Sequence, residues 1–143
     1  MIQAQYWTEE SEQRVRCLLC PHQCRINPGG RGICQIRENR AGVLYALTYR
    51  RVSAVNMDPI EKKPLYHFFP GKEILSIGSV GCNLKCQFCQ NWEISQTGFI
   101  DNLSWMDSQK IISLAQSQGS IGIAYTYNEP FMWYEYIYDV VKK

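Results

Sequence analysis

Apolar and polar positions change rhythm several times along the chain. Residues 1–16 are polar apart from a few residues such as Tyr6 and Trp7, and read as a short lead-in with a partial helix. Residues 17–40 hold Pro21, Pro28, Gly29, Gly30 and Gly32 and little apolar mass, so the pattern predicts turns and no core of their own. Over 42–57, β-branched and aromatic residues partly alternate. That predicts one or two strands, with a hairpin around Tyr49-Arg50-Arg51. Asp58-Pro59 and Lys63-Pro64 mark a loop. Glu73 to Ser79 is a short apolar strand that runs into Gly81-Cys82.

The second half alternates between helix and strand signals. Ser104-Trp105-Met106-Asp107 resembles a capping box. A helix is predicted from there through about Gln118, with Ile111, Ile112, Leu114 and Ala115 as its apolar stripe and Gly119 just past its end. Ser120 to Thr126 reads as a second buried strand. Asn128-Glu129-Pro130 ends it, and a further helix begins near Phe131 with Pro130 in its first turn. The order from Glu73 is strand, cysteine loop, helix, strand, helix. Such alternation predicts an α/β fold with parallel strands and crossover helices.

Composition narrows the classes. The chain has 143 residues, of which 45% are hydrophobic and 20% charged, which fits a folded domain. A net charge of +2 gives no ground for nucleic acid or membrane-surface binding. No apolar run is long enough to span a bilayer. The stretch from Met1 to Trp7 lacks the basic and apolar regions of a signal peptide, so a reducing, cytoplasmic setting is expected.

Seven cysteines alter the picture. The count is odd and high, and the residues fall into two sets: Cys17, Cys20, Cys24 and Cys34, then Cys82, Cys86 and Cys89. In a reducing compartment such sets bind metal or do redox chemistry more often than they form disulfides. The second set has C-x3-C-x2-C spacing at the end of a predicted strand. Three thiolates suit a [4Fe–4S] cluster with one iron left open. Zinc completed by a distant fourth ligand, His67 or Cys34, is the alternative.

This spacing, with Phe88 just before the third cysteine, resembles the radical S-adenosylmethionine (SAM) enzymes. More narrowly, Glu61-Lys62-Lys63-Pro64-Leu65-Tyr66-His67-Phe68, Gly81-Cys82-Asn83 and Cys89-Gln90-Asn91-Trp92 resemble the pyruvate formate-lyase activating-enzyme-like branch. Within it, the similarity is greatest to the radical SAM member of the AmmeMemoRadiSam system. The resemblance implies that Cys82, Cys86 and Cys89 hold a [4Fe–4S] cluster whose open iron is chelated by SAM. Reductive cleavage of SAM would then give a 5′-deoxyadenosyl radical for hydrogen abstraction. It implies the N-terminal part of a partial (βα)6 TIM-like barrel, over 61–143, preceded by a Cys-rich metal-binding module with short β-strands over 1–60. It further implies an electron donor of flavodoxin or ferredoxin type, and as partners a protein substrate or other AmmeMemoRadiSam proteins.

By the same resemblance, Asn128, Glu129 and Pro130 take the place of the family's glycine-glycine-glutamate-proline motif and contact the SAM amino group. Tyr127 and Asn128 stand where two glycines are usual. Tyrosine restricts the backbone where glycine frees it. Glu129 and Pro130 equally suit the start of a helix. Trp92 and Tyr127 are candidate walls of the SAM pocket, and Lys62, Lys63 and His67 candidate residues facing it.

Cys17, Cys20, Cys24 and Cys34 have the spacing of a closed site for zinc or a second Fe–S cluster, with His22 nearby. Arg25, Arg31, Arg37 and Arg40 give this module a basic face suited to an acidic partner or an electron donor. About six βα units of roughly 30 residues form such a barrel, and little more than two fit here. The expectation is a truncated portion of a longer enzyme with an uncovered strand edge. A non-catalytic metal-binding, electron-carrying module and an inactive fragment are the competing readings.

Overall fold

Short strands dominate the first half because turn residues interrupt every β-prone run. The computed structural model describes residues 1–143. β1 (Ile2–Gln3), β2 (Trp7–Glu9), β3 (Val15–Cys17), β4 (Arg25–Ile26), β5 (Arg37–Arg40) and β6 (Val43–Ala46) build two antiparallel sheets. Their orders are β2-β3-β4 and β1-β6-β5. The lead-in therefore forms strands, with one 3-10 turn at Ser11–Gln13, where a partial helix was expected.

Residues 17–40 do have a core. Cys17, Leu19, Ile26, Cys34 and Ile36 join Ala4, Val15, Leu44, Ala46, Val80 and Met132 in one buried apolar cluster. The sparse apolar residues suffice because β3, β6, Ala4 just beyond β1, Val80 and a later helical turn supply the rest. Asn39 is buried but fully paired: its amide donates to the carbonyls of Gln13 and Ile26, each at 2.8 Å, and its oxygen accepts from Gly42 N–H.

β7 (Arg51–Val52) does not fold back on β6, so there is no hairpin around residues 49–51. β7 pairs instead with β10 (Ser104–Trp105). β8 (Ala54–Pro59) runs antiparallel to β9 (Glu73–Gly78), which runs parallel to β11 (Ile123–Tyr125). This three-stranded mixed sheet carries the predicted parallel pair. The barrel is not closed, and β11 pairs with β9 alone.

α1 (Trp92–Ser95) follows the second cysteine set, and α2 (Ser108–Ser117) crosses between the parallel strands. The cap of α2 is Asp107, whose carboxylate accepts from Lys110 N–H at 2.8 Å. Ser104 cannot serve as the cap because its backbone is in β10. α3 (Tyr134–Val141) follows a 3-10 turn at Pro130–Trp133. Leu75 and Ile77 of β9 turn one face toward α2 and α3, where they meet Ile111, Ala115, Trp133, Tyr136 and Val140 in a second core. Alternation along the strands leaves Asn56, Asp58, Ser76 and Gly78 on the opposite face. That face positions the site.

Candidate functional site

The second cysteine set occupies the loop between β9 and α1. Cys82, Cys86 and Cys89 line one cavity of about 270 Å³, together with Asn91, Ser95, Gln96, Tyr127, Asn128 and Glu129. Parallel pairing of β9 and β11 causes this meeting, since it brings both strands' carboxyl ends to one edge. Leu84 N–H donates to Cys82 Sγ at 3.4 Å, and Cys89 Sγ contacts Ser95 Oγ at 3.4 Å. Cys82 is buried and Cys86 exposed. Asn128 reaches the cysteine loop directly: its Nδ2 donates to Gly81 O at 2.7 Å.

No three His, Cys, Asp or Glu side chains converge tightly enough to grip a single ion. Four irons spread their thiolates wider than one ion does, so three thiols around an open cavity suit a cluster better than zinc. His67, the proposed distant zinc ligand, lies in an exposed loop, and Cys34 is buried in the first core. Neither lines this cavity.

Glu129 is placed at the cavity and at the start of the next turn. It lines the cavity, and its carboxylate caps the following turn by accepting from Phe131 N–H at 3.3 Å. Pro130 is the first residue of that turn and stays outside the cavity. Trp92 is exposed and does not wall the cavity, whereas Tyr127 does.

Tyr127 has φ +73°, the left-handed region that glycine would occupy freely. The chain keeps the backbone shape and supplies anchors for the side chain. Asn56 Nδ2 donates to Tyr127 Oη at 2.9 Å, and Tyr127 Oη donates to Asp58 Oδ2 at 3.3 Å. Gly78 makes room: a Cβ there would lie 2.7 Å from Tyr127 Cδ2 and 2.8 Å from Thr126 O.

Behind Tyr127 lies a second cavity of about 570 Å³, lined by Asn56, Asp58, Lys62, Lys63, Gln90 and Asn91 among others. Lys62 Nζ and Lys63 Nζ each donate to Asp58, at 2.8 Å. Burial alone would raise the Asp58 carboxyl, but these two ammonium groups override it and hold it well below the usual carboxylate range. Sequence reading named both lysines and missed Asn56, Asp58, Gln90, Ser95 and Gln96. The lysines' i+4 and i+5 spacing from Asp58 was the available signal.

Cys17, Cys20, Cys24 and Cys34 line one small cavity with Gly32, Arg37 and Met132. Burial pushes the Cys17 and Cys34 thiols up, partly offset by neighbouring backbone N–H groups and by the Arg37 charge. Four thiols with such donors form a fitting donor set for a closed metal site, although the thiols are not drawn in to single-ion distance. His22 is not among the residues lining that cavity; its Nε2 bonds Asn83 O at 2.9 Å in the other cysteine loop.

Of the four early arginines, Arg25, Arg31 and Arg40 stay exposed, each beside a glutamate, and Arg37 is withdrawn from the surface. Arg37 is 1% exposed and paired with Glu135; Arg31 and Arg40 both bond Glu38; Arg25 pairs with Glu10.

Residues 76–143 match the model of the Radical SAM superfamily, a stretch that takes in the end of β9, the cysteine loop and the end of β11. An uncharacterized protein of Methanocaldococcus jannaschii is 43% identical over 141 residues, which cover 97% of this chain and 42% of that protein. A second uncharacterized protein of the same organism is 34% identical over 84 residues, 58% of this chain and 20% of that protein. The chain thus spans less than half the length of either relative. No solved structure matches the chain. No helix is long and apolar enough to cross a membrane.

Proposed function

We propose that this chain carries the cluster-binding part of a radical SAM enzyme of the pyruvate formate-lyase activating-enzyme-like branch, akin to the AmmeMemoRadiSam member. One observation carries the reading: Cys82, Cys86 and Cys89 share a cavity with Asn128 and Glu129. Cys82, Cys86 and Cys89 would hold a [4Fe–4S] cluster, and Asn128 and Glu129 would contact the SAM amino group. The chemistry such a cluster would supply when bound and reduced is one-electron cleavage of SAM to methionine and a 5′-deoxyadenosyl radical for hydrogen abstraction.

The protein's own part is to bind, orient and exclude water. Gly81 and Asn128 fix the cysteine loop against the end of β11. A flavodoxin- or ferredoxin-type protein donates the electron. Cys17, Cys20, Cys24 and Cys34 hold a separate closed metal site, zinc or a second cluster. A protein is the substrate class that the activase-like branch suggests.

Anaerobic reconstitution with iron and sulfide, followed by EPR with and without SAM, tests the reading. SAM should change the reduced-cluster signal, and dithionite should then yield 5′-deoxyadenosine. A signal indifferent to SAM would return the chain to a metal-binding, electron-carrying role.

A further inference from the structure

The cavity behind Tyr127 has an imbalance of hydrogen-bonding groups. Asp58 supplies its only carboxylate, and both oxygens are engaged, one by each lysine. Tyr127 Oη also donates to Oδ2. Each ammonium has three donors and uses one on Asp58. The amides of Gln90 and Asn91 add further donors at the wall. Two positive charges against one negative leave an excess of one.

A cationic ligand would meet two ammonium groups and no free carboxylate. A purely structural ion pair needs one lysine, and here there are two. We propose that this cavity binds an anionic group of the substrate, a carboxylate or a phosphate, with Lys62 and Lys63 as its ligands. Location supports the role as well as the charge. Asn91 and Tyr127 line both this cavity and the cluster cavity, so a molecule held by the lysines abuts the place where SAM is proposed to bind. The role as a substrate site rests on the radical SAM reading; the anion binding does not.

The test uses the full chain without cluster or SAM. Inorganic phosphate and malonate are titrated separately, and binding is followed by NMR shifts. One anion should bind saturably, with shifts centred on residues 56–63 and on Tyr127; which anion binds distinguishes phosphate from carboxylate chemistry. Lys62→Met and Lys63→Met should each weaken binding about tenfold or more, the loss of a charge-assisted hydrogen bond. Asp58→Asn should tighten it, because both ammonium groups are released from their carboxylate. Absence of saturable binding by either anion overturns the proposal, as does an Asp58→Asn variant that binds more weakly. If the lysine variants fail to fold, the Asp58→Asn result decides alone. Intact anion binding alongside an EPR signal indifferent to SAM would sink the radical reading and leave the anion site standing.

Discussion

Arg37 and Glu135, 98 residues apart, form a buried two-pronged ion pair with N–O distances of 2.6 and 2.7 Å. Arg37 Nη2 also donates to Met132 O, and Glu135 Oε1 accepts from Gln5 N–H at 2.8 Å. The pair thus joins β5 to α3. Breaking it leaves one charge buried and alone. Arg37→Met or Glu135→Gln should each cost about 3–5 kcal/mol. The double variant R37M/E135Q should lose less than the sum, since no charge is stranded. Urea denaturation midpoints of the three variants check this.

Gly78→Ala should destabilise the fold by about 1–3 kcal/mol through overpacking. The added methyl meets Tyr127 Cδ2 at 2.7 Å, which a side chain can yield, and Thr126 O at 2.8 Å, which is backbone and cannot. Combining it with Tyr127→Gly should therefore rescue only part of the loss. Thermal unfolding of the single and double variants measures the split.

Asp58 sets an acid limit. Its folded carboxyl lies below its ordinary value of 3.8, so the stabilising contribution is fully present above that value. It is lost as pH falls below about 4 toward the lower folded value, where protonation releases Lys62 and Lys63. Asp58→Asn should flatten the acid limb of a stability–pH profile below pH 4 and leave its shape above pH 5 unchanged. Denaturation midpoints between pH 2 and 7 test it.

The two cysteine sets touch through backbone. A Cβ on Gly81 would lie 2.5 Å from Cys34 O, so only glycine fits there, and its φ is +80°. His22 bonds Asn83 O two residues further on. On the proposal that the four-thiol site holds metal, adding a chelator should therefore loosen the second loop too. The amides of Gly81 and Leu84, which bond Ile94 O and Cys82 Sγ, should exchange faster with deuterium.

Cys86→Ala should abolish the second cluster while sparing metal at the first set, as read by iron, sulfide and zinc content. Cys86 is exposed, so the substitution itself should barely change stability. Loss of both metals together would overturn the two-site division.

The parallel pair β9 and β11 was legible because each is an apolar run bounded by turn residues. The cysteine motif was legible because its spacing is local. The early strands were not, since runs of two to four residues are too short to show a period. The pairing of the early arginines was only partly legible: Glu38 lies beside Arg37 and Arg40 in β5, whereas Glu10 and Glu135 arrive from elsewhere in the fold. The cavity at Asp58 escaped notice for a related reason. Only the antiparallel register of β8 on β9, with Asn56 opposite Ser76, carries Asn56 and Asp58 to Tyr127. The left-handed turn at Tyr127 runs against residue preference, and tertiary anchors override it.

Met132 lies in the first core, against residues from β3, β4 and β6. During synthesis the chain emerges from its N-terminus, so those strands leave the ribosome long before the residue that completes their packing. Until Pro130–Trp133 is made, the first core lacks Met132.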